Sequence, residues 1–129
     1  MSTPRSLEIT PILVVDDDAE IRGTFVEKLE NAGYSVRNAK SGAEALRFLR
    51  KSHYGVLVLS LDMRNSDSFR ILKAVKTEHP GVHVLAVSGS NGILLQAAEC
   101  LGAALSLRRG SAPRMLVKTV RKLVGGRNG

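Results

Sequence analysis

Residues 11–18 read Pro-Ile-Leu-Val-Val-Asp-Asp-Asp, and the fold turns on this stretch. Ile12 to Val15 form an unbroken aliphatic run of the kind a strand shows when both of its faces are covered. The run stops at three carboxylates. Ile21, Phe25, Leu29 and Ala32 then recur at helical spacing as far as Gly33, a residue suited to closing a helix. A buried strand therefore leads straight into an amphipathic helix, with acidic groups at the junction.

The same rhythm repeats outward. Ser35 to Ala39 reads as a short strand, and Ser41-Gly42-Ala43-Glu44 has capping-box spacing ahead of a helix through Leu46 and Leu49. Val56 to Leu59 predicts a third strand, apolar on both faces. Ser66 to His79 predicts a helix with Phe69, Leu72 and Val75 on one side, stopped by Pro80-Gly81. Val82–Val87 predicts a fourth strand, Ile93–Leu101 a helix closed by Gly102, and Leu105–Leu107 a fifth strand. Ser111 is placed to cap a last helix whose first turn tolerates Pro113. Leu116, Val120, Leu123 and Val124 share its apolar face, and Arg114, Lys118, Arg121 and Lys122 lie opposite. Alternating strands and helices of this length predict a doubly wound α/β domain around a five-stranded parallel sheet, because right-handed crossovers cover both faces.

Composition narrows the function classes. At 129 residues with 43% hydrophobic and 24% charged content, the chain has the size of one domain with one core. Residues 11–124 are expected to form it, with 1–10 an N-terminal extension and 125–129 a flexible tail. No apolar run approaches the roughly 20 residues of a membrane span, and Met1 to Pro11 lacks a signal-peptide core, so a cytoplasmic location is expected. The single Cys100 excludes an internal disulfide or a Cys-based zinc cluster and reads as a buried thiol beside Leu101. His53, His79 and His83 have no ligand or catalytic spacing. The net charge of +7 comes from the region after Glu99: Arg108, Arg109, Arg114, Lys118, Arg121, Lys122 and Arg127 follow it with no acid among them. A basic stripe of this kind attracts an acidic partner or marks a solvated helix face.

In a doubly wound sheet, ligands bind beyond the carboxyl ends of the strands, near the switch in strand order. Those ends carry Asp16-Asp17, Ser60, Ser88 and Arg108-Arg109. Two adjacent carboxylates in a cleft repel and call for a cation, either a hard ion such as Mg²⁺ or a nearby Arg; alternatively they are loop acids favouring the helix N-terminus. The loop Ser88-Gly89-Ser90-Asn91-Gly92 can offer N–H groups to an anion, but it is neither a GxGxxG nor a Walker A sequence.

The order of these features resembles the receiver domain of two-component response regulators. The resemblance is carried by Ile12-Leu-Val-Val-Asp-Asp-Asp-Ala-Glu-Ile-Arg22, Ala32-Gly-Tyr-Ser-Val36, Gly42-Ala-Glu-Ala-Leu46, Val84-Leu-Ala-Val-Ser-Gly89 and Leu101-Gly-Ala103. It implies a flavodoxin-like (βα)5 fold. In that family an acidic pair holds Mg²⁺, an Asp ending the third strand accepts a phosphoryl group from a histidine kinase, and a hydroxyl on the fourth strand and a Lys after the fifth bind the phosphoryl oxygens.

Carried over by position, the resemblance makes Asp16 and Asp17 the acidic pair and Ser88 the hydroxyl. The acceptor position falls on Ser60, with Met63 and Asp67 at the family's later positions. Arg64 stands for the family's Pro, Ser68 for Gly, Arg109-Gly110 for Lys-Pro, and Ser106 for the aromatic that reports phosphorylation.

A serine hydroxyl is neutral and forms a stable ester rather than a labile acyl phosphate. The expectation is therefore an atypical receiver: not an enzyme, with Mg²⁺ weak or absent at Asp16 and Asp17, signalling by docking a protein partner independently of phosphorylation. Arg109 is expected to bridge Asp16 and Asp17 in place of a metal. The partner, linked to a histidine kinase or an output protein, would meet the face bearing Ser106, Arg108, Arg114, Lys118, Arg121 and Lys122. An acidic partner suits that face, and a homodimer through it is an alternative. Two other readings stand beside this one. Asp62 is a candidate displaced acceptor, although strand alternation argues against its aiming into the pocket. Nucleic-acid binding through the last helix lacks stacking aromatics between Arg108 and Arg127.

Overall fold

The computed structural model describes residues 10–64, 67–89 and 92–125. Residues 1–9 of the expected extension, Ser66 at the start of the expected third helix, Ser90 and Asn91, and residues 126–129 with Arg127 lie outside them. Five strands alternate with five helices: β1 (Pro11–Val15), α1 (Ala19–Asn31), β2 (Ser35–Ala39), α2 (Gly42–Lys51), β3 (Val56–Ser60), α3 (Asp67–Glu78), β4 (His83–Ser88), α4 (Gly92–Cys100), β5 (Leu105–Arg108) and α5 (Ala112–Val124). All strands pair in parallel, in the order β2-β1-β3-β4-β5. The boundaries of β4, α4 and β5 differ from the expected ones by a single residue at one or both ends.

The apolar runs split by parity, as strand geometry demands. Ile12, Val14, Val56, Val58, Leu85 and Val87 face one side, where they pack with Phe25 and Leu29 of α1 and Ala112, Leu116 and Val120 of α5. Leu13, Val15, Leu57, Leu59, Val84 and Ala86 face the other, against Ala45 and Leu49 of α2, Ile71, Leu72 and Val75 of α3, and Leu95 and Ala98 of α4. Both sets are fully or almost fully buried. Truncating any of these leucines to Ala would cost about 2–5 kcal/mol.

The edge strand β2 is largely exposed. Its Arg37 stacks on Phe48 of α2 at 4.9 Å, with Arg47 at 5.6 Å from the same ring.

Local signals account for several helix ends. Asp18 accepts from the N–H groups of Glu20 and Ile21 at 3.0 and 3.1 Å and caps α1. Ser41 Oγ accepts from the Glu44 N–H at 3.2 Å, while Glu44 Oε1 reaches back to the Lys40 N–H at 2.9 Å, so the capping box closes one residue early. Gly33 and Gly102 take φ of +99° and +117° after α1 and α4, conformations that favour glycine.

Two expectations are corrected. Ser111 does not cap α5 with its side chain. The Ser111 N–H already donates to the Arg108 carbonyl at 3.0 Å and that of Ala112 to Arg109 at 3.2 Å, so helical winding begins upstream of it. Cys100 is exposed rather than buried. Leu95 and Ala98 are the α4 residues turned to the sheet, and Cys100, two positions past Ala98, points away from it at 100° per residue. Among the described residues no helix is long and apolar enough to cross a membrane.

Candidate functional site

β1 and β3 are neighbours, yet the chain leaves β1 for β2 on one side and β3 for β4 on the other. The carboxyl ends of β1, β3 and β4 thus border a crevice at the switch in strand order. Asp16 follows β1 and is 2% exposed. Its Oδ1 accepts from the Asp18 N–H at 3.0 Å. Burial pushes its pKa above the ordinary 3.8; the Asp18 N–H and the charge of Arg109 act against this, and Asp17 and Asp18 add to it. Arg22 on α1 holds the end of β1 in place, donating from Nη1 to the Asp16 carbonyl at 2.8 Å and from Nε to Asn38 Oδ1 of β2 at 3.0 Å. Asp17 is exposed, and its Oδ2 accepts from the Arg64 N–H at 3.0 Å, tying the loop after β3 to that after β1.

Ser60 is the last residue of β3 and is buried. Its Oγ accepts from the Asp62 N–H at 3.2 Å, and its carbonyl accepts from the hydroxyl of Ser68, itself buried in the first turn of α3. Ser88 ends β4 and is 0% exposed.

The strongest polar cluster of the crevice is centred on Asp62. Its Oδ1 accepts from Ser88 Oγ at 2.8 Å. Its Oδ2 accepts from the Gly89 N–H at 2.7 Å and from Arg109 Nη2 at 2.8 Å. Distances this short mark charge-assisted bonds.

This arrangement corrects two expectations. Arg109 pairs with Asp62 and does not bridge Asp16 and Asp17. The strand order supplies the reason: β5 lies two strand spacings from β3 and three from β1, about 10 Å against about 14 Å. Asp62 does aim into the crevice, because β3 ends at Ser60 and strand alternation no longer fixes side chains in the turn beyond it. The overlooked signal was the pairing of opposite charges, Asp62 after β3 and Arg109 after β5, with Ser88 ending the strand between them.

The remaining predicted residues lie on the neighbouring face. Ser106 on β5 donates to Glu99 Oε2 of α4. Arg108, Arg114, Lys118, Arg121 and Lys122 are all exposed. Asp16 and Asp17 each accept a main-chain N–H, Asp62 is turned to Arg109, and no group of three His, Cys, Asp or Glu able to hold a metal ion occurs among the described residues.

Comparison with known proteins gives a consistent result. The nitrogen assimilation regulatory protein NtrX of Azorhizobium caulinodans is 34% identical over 84 residues, 64% of this chain and 18% of that protein. The sensor histidine kinase RcsC of Escherichia coli is 29% identical over 90 residues, 70% of this chain and 9% of that protein. The chain thus spans less than a fifth of the length of these relatives. Among solved structures, the chemotaxis protein CheY4 of Vibrio cholerae superposes with a TM-score of 0.81 at 26% identity, covering 89% of this chain and 98% of that one. A CheY-like receiver domain protein of Methanospirillum hungatei shares the fold, with a TM-score of 0.85 at 21% identity and coverage of 93% and 97%. The family model described as the response regulator receiver domain matches residues 12–121, and the chain belongs to that family.

Proposed function

We propose that this receiver domain signals without being phosphorylated, by docking a protein partner. The observation that carries this reading is the engagement of Asp62: the carboxylate two residues past the buried Ser60 has both oxygens bonded, to Ser88, Gly89 and Arg109. A carboxylate so engaged is a poor nucleophile, and the Ser60 hydroxyl is poorer still toward a phosphohistidine donor. Catalysis is not part of this role. The docking face is the one formed by α4, β5 and α5, where Arg108, Arg114, Lys118, Arg121 and Lys122 stand exposed. Its charge suits an acidic protein, linked to a histidine kinase or an output module.

Amide-resolved NMR with Mg²⁺ and then a small-molecule phosphodonor, read beside intact mass, tests this. No added phosphate and no shift at Asp16, Asp17, Ser60 or Ser88 is the expected result. A second reading takes Asp62 as a displaced phosphoacceptor, favoured by its position beside Ser88 and Arg109. Gain of one phosphate in mass, abolished by Asp62→Asn, would replace the first reading with it. For the docking face, partner binding should weaken with salt and with Lys118→Glu plus Arg121→Glu. Retention of nucleic acid instead of protein through those residues would overturn the choice of partner.

A further inference from the structure

We infer that the β2 edge of the sheet, with the adjoining side of α2, takes up an acidic peptide segment as an added strand. This edge lies at the end of the sheet opposite β5, so the inference goes beyond the docking face proposed above and does not rest on it. β2 has one neighbour, β1. The Asp16 N–H donates to the Ala39 carbonyl at 3.2 Å, and alternate residues of a parallel strand turn their main-chain groups to the same side. Ser35, Arg37 and Ala39 therefore bond toward β1, while the N–H and C=O groups of Val36 and Asn38 point out from the edge. Those outward groups have no main-chain partner among the described residues. Beside them runs a groove of about 470 Å³, lined by Ser35 to Asn38 and by Ser52, His53 and Tyr54 just past α2.

Charge selects the occupant. Arg37, Lys40, Arg47, Arg50 and Lys51 are all exposed, and the only acid in the sequence between Arg37 and His53 is Glu44. That carboxylate is already engaged, by the Lys40 N–H at 2.9 Å and by Arg47 at 3.9 Å. Among the described residues Arg37, Arg50 and Lys51 form no ion pair. The Phe48 ring gathers Arg37 and Arg47, at 4.9 and 5.6 Å from its centre, because its face attracts both cations. The exposed acids Glu27 and Glu30 belong to α1, which covers the other face of the sheet. An edge of this charge repels a second copy of itself. Nucleic acid would meet the cations but has no main-chain N–H and C=O groups to pair with Val36 and Asn38, whereas an extended peptide has both. In an added strand, residues two apart, about 6.6 Å, share a face. Asp or Glu on the α2 face meets Arg37 and Arg47. The residues between them lie on the face where Val36 packs among apolar side chains, so they are apolar.

The test adds an end-capped peptide, Thr-Glu-Val-Glu-Val-Glu-Thr, to the full chain and follows amide shifts by NMR. Saturable shifts of the Val36 and Asn38 amides are expected, with a Kd of about 1 mM or tighter. Arg37→Glu plus Arg47→Glu should weaken binding on the order of tenfold or more, and added salt should weaken it too. If that variant does not fold, Arg50→Glu plus Lys51→Glu carries the same expectation at the end of α2 beside the groove. The same peptide N-methylated throughout keeps its charge but loses its N–H groups, and should bind on the order of tenfold more weakly. Equal binding by the methylated peptide would overturn strand addition, as would the absence of saturable shifts at Val36 and Asn38. Tighter binding of a short oligothymidylate through the same residues would overturn the choice of occupant. Lys118→Glu plus Arg121→Glu, on the far side of the domain, should leave the Kd within about twofold, as distant sites do. A larger loss there would place the peptide on α5 and overturn the inference, so this surface and the α5 docking face can fail separately.

Discussion

The pair between Arg109 and Asp62 should be energetically coupled, and a double-mutant cycle measures by how much. At an N–O separation of 2.8 Å, unit charges attract by about 1.5 kcal/mol at the dielectric of water and about 6 kcal/mol at an effective value near 20. Desolvation takes back much of the larger figure. The two side chains are 35% and 21% exposed, between the exposed pairs that contribute under about 1 kcal/mol and the buried ones whose breakage costs about 3–5 kcal/mol. A coupling of about 1–2 kcal/mol follows. Asp62→Ala alone should cost about 2 kcal/mol, because the fully buried Ser88 hydroxyl loses a hydrogen bond at the same time. Chemical denaturation of the unchanged chain, Arg109→Ala, Asp62→Ala and the double variant supplies the four free energies. A coupling under about 0.3 kcal/mol, within the range of independent sites, would refute the argument. So would an Arg109→Ala variant that coupled instead to Asp16→Asn.

Three further outcomes are expected. The raised pKa of Asp16 means the folded chain holds that proton more tightly than the unfolded chain, so its protonation stabilises the fold. This benefit is complete below 3.8 and is lost as pH rises through the raised value. Asp16→Asn should therefore melt higher than the unchanged chain at neutral pH, and the gap should close on acidification; a gap independent of pH would contradict the burial argument. Ser41→Ala should lower stability by about 1 kcal/mol while Ser111→Ala leaves it nearly unchanged, since only Ser41 caps with its side chain; equal losses in thermal melts would contradict this. Gly102→Ala should cost more than Gly33→Ala, each paying about 1 kcal/mol for a positive φ, because an added Cβ meets the Lys76 side chain at 2.6 Å at Gly102 and nothing within 4 Å at Gly33. Equal melting temperatures for the two variants would count against this packing.

The sheet was legible because its strands are covered on both faces. Runs such as Val56-Leu57-Val58-Leu59 have no other economical reading, and Asp16, Ser60 and Ser88 fall at strand ends once the strands are placed. What escaped was the direction of side chains beyond those ends. Asp62 lies two residues past β3, where the period of two has lapsed and a hydrogen bond from its own N–H to Ser60 Oγ sets the turn. The partner of Arg109 depended on strand order, which residue patterns leave open. Cys100 and Ser111 were misread for a related reason: each lies at a helix boundary, where a shift of one residue decides which way a side chain faces.

The outward-facing Cys100 has a practical side. It is the sole thiol in the sequence and sits at the last residue of α4, on the flank of the domain that carries Ser106 and the exposed Leu101. A maleimide dye or nitroxide would attach there without any engineered substitution, giving a single defined label from which the approach of a partner to that flank can be followed by quenching or by paramagnetic broadening.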